Sequence, residues 1–342
     1  MAPDEGRSSF ARYFKTGEAF IFNLTKIGGA EAGGERGQPV VVSCCLFEGA
    51  IMKIALALVL ATMAMTTATT AFTASGTNQI SIRYVPPENP SHQQIYTQLK
   101  QRGVLERLQV FLSPFRLPRT LRISVTGCDG EADAWYEDDD ITICYEYIDD
   151  LLANMPEETT LSGVTPFDTV TGPLFEVSLH EFAHALFDML ELPVLGREED
   201  AADQVAAYIL LQLGKHEARR MISGTVRAYT IEEIRAGGQR SKEDYASEHG
   251  TPAQRAYNDM CIAYGADAKL FADFVSKGYL PKERAEFCED EYFQIKDAFE
   301  ILLYPHLDLD LAKKNLDAAW VCVGDGNQAS GEWQNCVSVP PH

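Results

Sequence analysis

The feature that most constrains this chain is a pair of histidines four residues apart, with a glutamate directly after the first. The motif reads His180-Glu181-Phe182-Ala183-His184 and lies in a strongly helical run. Side chains four residues apart share one face of a helix, so both imidazoles can bind the same metal ion. Glu181 lies beside them, one step around the helix. The rest of the chain must therefore support a helix that brings these three side chains together.

A second helical segment begins fifteen residues after the motif and reads Glu199-Asp200-Ala201-Ala202-Asp203. Two histidines and one carboxylate leave the fourth tetrahedral position of a zinc ion open, which is typical of catalytic rather than structural sites. We therefore expect His180, His184 and Glu199 to bind one Zn²⁺. Asp203 would accept a hydrogen bond from the free N–H of a ligand histidine. Glu198 is the alternative carboxylate ligand, although the residue four positions after it is Ala202.

Glu181 is the candidate general base. It cannot easily be a third ligand from its place between the two histidines, but it can take a proton from a water at the metal. Zinc lowers the pKa of such a water from about 15.7 to near 7, so the residue set favours hydrolysis of a carbonyl compound. The alternative is a plain exposed helix whose His and Glu side chains are only solvated.

Composition and charge limit the partners. The chain has 342 residues, 46% hydrophobic and 23% charged, which is ordinary globular composition with room for one large or two small domains. Its formal net charge of −21 argues against nucleic acid, because a phosphate backbone needs a basic surface. A peptide substrate remains compatible with this charge, with some bias toward basic peptides.

A short apolar segment follows Met52-Lys53 and indicates a secretory signal peptide. The apolar part covers 54–65, and small residues, mostly Thr and Ala, continue to Ala74. It is shorter than the roughly twenty residues that a membrane span needs. We therefore expect a signal peptide over 52–74, export to the periplasm or the medium, and no stable membrane span after cleavage. A retained membrane anchor is the alternative.

The residues before this segment differ from the rest of the chain. Residues 1–74 contain six Lys/Arg and six Asp/Glu, so the whole net charge of −21 falls on 75–342. A signal peptide normally begins a chain. We therefore expect Met52 to be the natural start and 1–51 to be a spurious or disordered extension.

The cysteines fit an exported protein. Six lie beyond the leader segment, and an even number in an exported chain indicates disulfide bonds. Six cysteines allow fifteen pairings, which the sequence cannot distinguish. We expect neighbours to pair in order, as Cys128–Cys144, Cys261–Cys288 and Cys322–Cys336; buried free thiols are the alternative.

The order of predicted elements indicates an α+β fold. Alternating apolar residues predict strands over 78–86 and 121–125, and a hairpin of 131–136 with 141–145 around a polar turn. Helical periodicity predicts helices over 91–113, 148–154, 174–190, 197–213, 252–264, 267–277, 282–304 and 308–320, with partly helical structure over 216–239. Thr251-Pro252 with Gln254 forms a capping box. A domain over 75–320 should thus have a sheet-rich part (about 75–172), a helical part (about 173–320) and an irregular tail over 321–342.

Several of these motifs resemble known zinc peptidases. The two histidines with a later Glu and an Asp four residues on are similar to the gluzincins, the thermolysin-like zinc peptidases. A closer resemblance is to a bacterial family of metallopeptidase-like proteins of unknown function, over about 80–305. The matching stretches are Cys128 with Asp133-Ala134-Trp135-Tyr136, Cys144-Tyr145-Glu146, His180 to His184, Arg197 to Asp203, and Glu248-His249 with Gln254-Arg255-Ala256-Tyr257-Asn258.

The resemblance implies a zincin-like fold, with a small mixed sheet and its hairpin packed on the motif helix. It also implies roles by position. Asp133-Ala134-Trp135 is similar to the edge strand on which gluzincins bind the substrate backbone. Gluzincins usually have Asn at the Asp133 position, and Asp can accept from a peptide N–H but cannot donate to a carbonyl. A plain hairpin with a packed Trp is the alternative.

Three further residues are implied to act on the substrate. His249 is the first candidate for the donor that stabilises the tetrahedral oxyanion, and Tyr257 is the second. Arg255 is a candidate clamp for a substrate carbonyl. A structural histidine at a helix start is the alternative for His249.

The sequence thus predicts a secreted zinc-dependent peptidase that acts on a peptide or protein substrate. Two other readings remain open. One is a non-catalytic secreted domain that binds zinc for structure, which a fourth protein ligand or an obstructed groove would favour. The other is a zinc hydrolase of a non-peptide amide.

Overall fold

The computed structural model of the chain describes residues 79–237 and 240–319. The expected extension over 1–51, the expected leader over 52–74, the tail over 321–342 and the Cys322–Cys336 pair lie outside the described residues.

Four strands form a small mixed sheet. They are β1 (Ile80–Tyr84), β2 (Leu121–Thr126), β3 (Ala134–Glu137) and β4 (Asp140–Cys144), in the spatial order β1-β2-β4-β3. β1, β2 and β4 are mutually parallel, and β3 runs antiparallel to β4 at the edge of the sheet. The prediction of two strands followed by a hairpin is confirmed.

The hairpin turn is set by two aspartates. Asp138 and Asp139 have φ angles of 50° and 62°, and they join β3 to β4 as a two-residue loop. Two successive positive φ angles match the right-handed twist of a hairpin, and Asp adopts this conformation more readily than most residues. The turn fixes the register of β3 and therefore the position of the sheet edge.

Twelve α-helices are described besides two short 3₁₀ turns. They are α1 (Gln93–Gln101), α2 (Val104–Leu112), α3 (Tyr145–Ala153), α4 (Asp168–Met189), α5 (Glu198–Leu211), α6 (Lys215–Arg235), α7 (Lys242–Ala246), α8 (Pro252–Ala266), α9 (Ala272–Ser276), α10 (Lys282–Ala285), α11 (Cys288–Leu302) and α12 (Leu309–Ala319). α1 and α2 connect the parallel strands β1 and β2, and α2 packs on β1. The remaining helices after α3 form the larger part of the domain.

The motif helix α4 lies at the centre of the fold. It packs against the hairpin strands β3 and β4 and against α3, α5 and α6. Most of its side chains are buried, including Leu179, Phe182 and Leu186, which are fully enclosed. A helix enclosed on most sides is apolar all round, so polar side chains at these positions need a specific partner.

Two glycines allow α4 and α6 to cross closely. A Cβ atom added to Gly172 would lie 2.5 Å from the carbonyl oxygen of Met221, and one added to Gly224 would lie 2.0 Å from that of Asp168. Real Cβ atoms essentially never come so close to backbone, so both positions require glycine.

Several helix boundaries differ from the sequence prediction. The expected helix over 91–113 is two helices, because Gly103 adopts a left-handed φ of 59°. α4 starts at Asp168 rather than near 174, with Pro173 inside it. The segment over 216–239 is mostly one long helix, and the segment over 282–304 is two helices.

Two of the expected disulfides are present. Cys128 is bonded to Cys144, and Cys261 is bonded to Cys288. The first joins the end of β4 to the loop before β3, and the second joins α8 to α11. The α+β prediction with a small mixed sheet and a mainly helical remainder is therefore confirmed for the described part of the chain. None of the described helices combines the length and apolarity needed to cross a bilayer.

Candidate metal centre

Helices α4 and α5 bring three candidate metal ligands together. The Nε2 atoms of His180 and His184 lie 3.2 Å apart, and Glu199 Oε2 lies 2.9 Å from the first and 3.3 Å from the second. Zinc bonds of about 2.0–2.1 Å in tetrahedral geometry require ligand atoms roughly 3.3 Å apart. The donor set and its spacing therefore fit a zinc-sized ion.

Each of the two imidazoles also contacts a carboxylate through its other ring nitrogen, Nδ1. His180 Nδ1 lies 2.8 Å from Asp203 Oδ1, and His184 Nδ1 lies 2.8 Å from Glu198 Oε1. A hydrogen bond at Nδ1 fixes the tautomer that leaves Nε2 free to coordinate. The structure thus places Glu198 on the outer side of His184, and Glu199 rather than Glu198 faces both Nε2 atoms.

The electrostatics of the site favour a cation. Burial lowers the pKa of His180, but hydrogen bonds to Asp203 and Glu199 outweigh it and raise the pKa to about 10. Burial raises the pKa of Glu199, but hydrogen bonds from His180, His184 and His249 outweigh it and hold the pKa far below its ordinary value. The carboxylates around the imidazole pair therefore remain charged and stabilise positive charge between them.

Glu181 is buried next to this group. Its side chain lies at the cleft described below, and the residue is 6% exposed. Burial raises the pKa of Glu181 to about 7, against the lowering effect of the two neighbouring histidines. A carboxyl group with this pKa can both accept and donate a proton near neutral pH.

Arg255 lies beneath the candidate ligands. Its guanidinium donates to both oxygens of Asp203, at 2.6 and 2.9 Å, and lies 4.5 Å from the ring centroid of Tyr229. We expected Arg255 to bind a substrate carbonyl, but only 18% of its side chain is exposed and the donors face Asp203. The structure therefore places Arg255 as a support for the carboxylate that orients His180.

Two further buried acids complete this group, and the sequence reading missed both. Glu176 accepts from the Tyr229 hydroxyl at 2.9 Å and lies 3.6 Å from Arg255. Asp259 has one carboxyl oxygen without a hydrogen-bond partner. Burial raises the pKa of both carboxyls. Glu176 lies one helical turn before His180, so the same four-residue spacing that revealed His184 could have revealed it.

His249 joins the site from the loop before α8. Its Nε2 lies 2.7 Å from Glu199 Oε2, its ring stacks on that of His180 at 5.7 Å, and 46% of its side chain is exposed. The structure does not bring Tyr257 to the same place. Tyr257 lies two residues after Arg255 on α8, so it faces another side of the helix, where it lines a separate pocket with Arg197 and Arg284.

A cleft of about 1070 Å³ opens over the candidate ligands. Its walls include the edge strand β3, one face of α4, α6 and the loop that carries His249. The Cys144 N–H donates to the Asp133 carbonyl, so Asp133 and Trp135 direct their backbone groups toward β4. Ala134 and Tyr136 consequently direct theirs toward the open edge, where the Ala134 N–H is bound by the Asp133 carboxylate at 2.9 Å.

Comparison with known proteins assigns the chain to a family. The family described as "Putative metallopeptidase" matches residues 84–303, and the chain belongs to that family. The match includes the strands β2 to β4, the helices α1 to α11 and every candidate site residue named above. The family's description implies a metal ion and a peptidase-like role. Searches of curated proteins and of solved structures found no match.

Proposed function

We propose that this protein is an exported, zinc-dependent metallopeptidase that hydrolyses peptide bonds. The observation that carries the proposal is the triangle of His180 Nε2, His184 Nε2 and Glu199 Oε2, with sides of 2.9–3.3 Å, at the floor of an open cleft. The family membership supports the peptidase class. The open cleft also argues against the alternative of a closed, purely structural metal site.

His180, His184 and Glu199 would hold the ion, and Asp203 and Glu198 would orient the two imidazoles. Two neutral nitrogens and one carboxylate oxygen form a donor set that zinc prefers. A zinc ion there supplies Lewis acidity, which acidifies water and polarises a carbonyl oxygen.

Glu181 performs the proton transfers in this proposal. Its carboxylate takes a proton from the attacking water as the new carbon–oxygen bond forms. The resulting carboxylic acid then delivers that proton to the amine nitrogen as the carbon–nitrogen bond breaks. A pKa of about 7 suits both directions of transfer at neutral pH.

The edge strand β3 binds the substrate backbone. Ala134 and Tyr136 offer N–H and C=O groups on the open side, so an extended peptide can add as a further strand. The Asp133 carboxylate now accepts from the Ala134 N–H, and an incoming peptide carbonyl would take over that N–H. Asp133 could then accept from a substrate N–H instead.

His249 is the proposed donor to the oxyanion of the tetrahedral intermediate. It is the exposed imidazole beside the ligand group, and its Nε2 already bonds a charged oxygen at 2.7 Å. Removing one such donor typically costs a factor of about 10²–10³ in kcat.

Export is supported by the two disulfides, because such bonds form and persist in oxidising compartments. A secretory signal peptide over 52–74 is part of the same proposal.

The test compares the full chain with Glu181→Gln, which keeps the size of the side chain but cannot take a proton. We expect about one zinc per chain in both proteins, and peptide hydrolysis at least about 100-fold slower in the variant. Glu232→Gln is the matched control, because Glu232 lines the same cleft and has no place in the proposed machinery. Wild-type protein without bound zinc would refute the metal assignment, and equal hydrolysis by wild type and Glu181→Gln would refute the role of Glu181.

A further inference from the structure

Four arginines line the cleft, and three of them are engaged. Arg255 binds Asp203, Arg235 binds Asp150 and Asn154, and Arg240 binds Glu233. Arg227 has no hydrogen bond and no acidic partner in the described part of the chain. A half-buried guanidinium without a counterion is notable in a protein whose net charge is −21, because acidic partners are abundant on its surface.

The crossing of α4 and α6 fixes the position of Arg227. Gly224 contacts α4 at Asp168 and Gly172, and the Tyr229 hydroxyl binds Glu176. Arg227 lies between these two contacts on α6, level with the turn of α4 around Pro173. Seven residues of helix separate Pro173 from His180, which corresponds to about 10 Å. Arg227 thus stands about two helical turns from the candidate metal ligands, within the same cleft.

The three helices α3, α4 and α6 line the cleft with a mixture of apolar and polar side chains. The apolar ones include Tyr147, Leu151, Pro173, Val177 and Ile231, and the acidic ones include Asp150, Glu176 and Glu232. Tyr147 has its hydroxyl bound to the Pro173 carbonyl, so it presents mainly its ring. Because Arg227 is half-buried, its guanidinium is only partly hydrated, and this strengthens its attraction for an anion.

We propose that Arg227 binds a carboxylate of the substrate, which makes the cleft selective for peptides with a carboxylate a short distance from the hydrolysed bond. The inference rests on the peptidase function proposed above. Arginine matches a carboxylate through two parallel hydrogen bonds, and no other unpaired cation lines the cleft among the described residues. At about 3.3 Å per extended residue, 10 Å corresponds to about three residues from the reacting carbonyl.

Two parts of a peptide can supply this carboxylate. One is the C-terminal carboxylate, which would make the protein act near chain ends. The other is the side chain of Asp or Glu, which would allow cleavage within a longer chain. The chemistry at Arg227 is the same in both cases, so the substrates must distinguish them.

The test uses matched peptides that differ only in charge. One pair has a free or an amidated C-terminus two or three residues from the cleaved bond. A second pair is amidated and has Glu or Gln at those positions. We expect kcat/KM about 10–100-fold higher for the charged member of at least one pair. Arg227→Met should abolish that preference while hydrolysis of the neutral member changes less than about threefold, and Arg227→Lys should retain part of it.

Arg235→Met is the matched control, because Arg235 lies on the same helix, lines the same cleft and already has its partners. It should keep the preference of the wild type. Equal rates for charged and neutral peptides in the wild type, or an unchanged preference in Arg227→Met, would overturn the proposal.

A binding measurement separates this inference from the peptidase function. Affinities of the same peptides are measured by calorimetry for Glu181→Gln and for Glu181→Gln combined with Arg227→Met. Tighter binding of the charged peptide by the first protein but not by the second supports the role of Arg227, even if the wild type hydrolyses none of them. Failure of every peptide to bind, or equal charge preference in both proteins, would refute it. Absence of hydrolysis by zinc-loaded wild type refutes only the peptidase function.

Discussion

Arg255 and Asp203 form a two-point ion pair beneath the candidate metal centre. The guanidinium donates Nε to Oδ2 at 2.9 Å and Nη2 to Oδ1 at 2.6 Å, and the same Oδ1 lies 2.8 Å from His180 Nδ1. One carboxylate therefore couples the start of α8 to a candidate ligand on α4. Burial raises the pKa of Asp203, but His180 and Arg255 outweigh it and keep the carboxyl ionised.

Replacing Arg255 by Met should destabilise the fold. Asp203 and Glu176 would keep their buried positions but lose the guanidinium between them, and breaking a buried ion pair from one side typically costs about 3–5 kcal/mol. Urea unfolding measures this loss. Arg235→Met removes a pair whose side chains are about half exposed, so its effect should be within about 1 kcal/mol. Equal losses in the two variants would contradict the structural role of Arg255.

Asp203→Asn should weaken metal binding by about 10–100-fold, because a buried partner that orients a ligand histidine is lost. Competition with a chromophoric chelator measures the affinity. Glu198→Gln alters the corresponding partner of His184, whose side chain is 55% exposed, so water can replace it. We expect the second variant to lose less than the first. The reverse order would show that His184 rather than His180 is the ligand whose orientation limits affinity.

The sequence reading identified the parts of the site that depend on local spacing. The pairing of the candidate ligands His180 and His184 on one helix face follows from their four-residue spacing, and the hairpin follows from alternation around a polar turn. The capping box at Thr251 is also present, with Thr251 and Gln254 bonding each other's backbone N–H. These features depend on residues a few positions apart, which is the range over which sequence patterns are informative.

The contacts that the sequence reading missed connect distant segments. Arg255 and Asp203 are 52 residues apart in sequence, and no local pattern shows that a guanidinium will face a buried carboxylate rather than the substrate. The sequence prediction began the motif helix near 174, after Gly172-Pro173, whereas the helix begins at Asp168. In the folded chain Gly172 is required by the crossing with α6, and tertiary packing outweighs the low helix propensity of glycine.

Gly224→Ala should destabilise the protein although Ala favours helices. An added Cβ would lie 2.0 Å from the Asp168 carbonyl oxygen, and the contact is with backbone that cannot rotate away. Overpacking typically costs about 1–3 kcal/mol, and the helix preference of Ala returns up to about 1 kcal/mol. We expect a net loss of about 1–2 kcal/mol in the free energy of unfolding. Gly127→Ala, whose Cβ would meet nothing closer than 3.9 Å, should change it by less than half of that.

Glu146 should make the free energy of unfolding depend on pH in the range where its carboxyl group titrates. Burial raises the pKa of Glu146, but backbone N–H groups, including those of Cys128 and Gly130, outweigh it and lower the pKa below its ordinary value. A carboxylate with a lowered pKa stabilises the fold above the unfolded pKa of about 4.3, and this stabilisation is lost as the pH falls through the folded pKa.

The expected result is a larger free energy of unfolding for wild type than for Glu146→Gln at pH 6–7, with a difference that shrinks below about pH 4. Denaturant titrations of both proteins at several pH values measure it. Glu157→Gln, at an exposed loop position, should show no such trend. A difference that grows on acidification would contradict the assigned direction.

Removing the Cys261–Cys288 disulfide should lower stability without affecting the metal centre. The bond closes a loop with a sequence separation of 27, and its loss typically corresponds to about 3–4 kcal/mol through the entropy of the unfolded chain. Both cysteines are fully buried, so the double variant uses Ala, which adds no unpartnered polar group.

Arg255 lies at the other end of α8, about 9 Å from Cys261 along the helix axis, and its contacts with Asp203 do not involve the disulfide. Urea unfolding should therefore show the loss while zinc content and chelator competition match wild type. A variant that loses the expected stability and also binds zinc weakly would instead show that α8 transmits the constraint of the disulfide to Arg255.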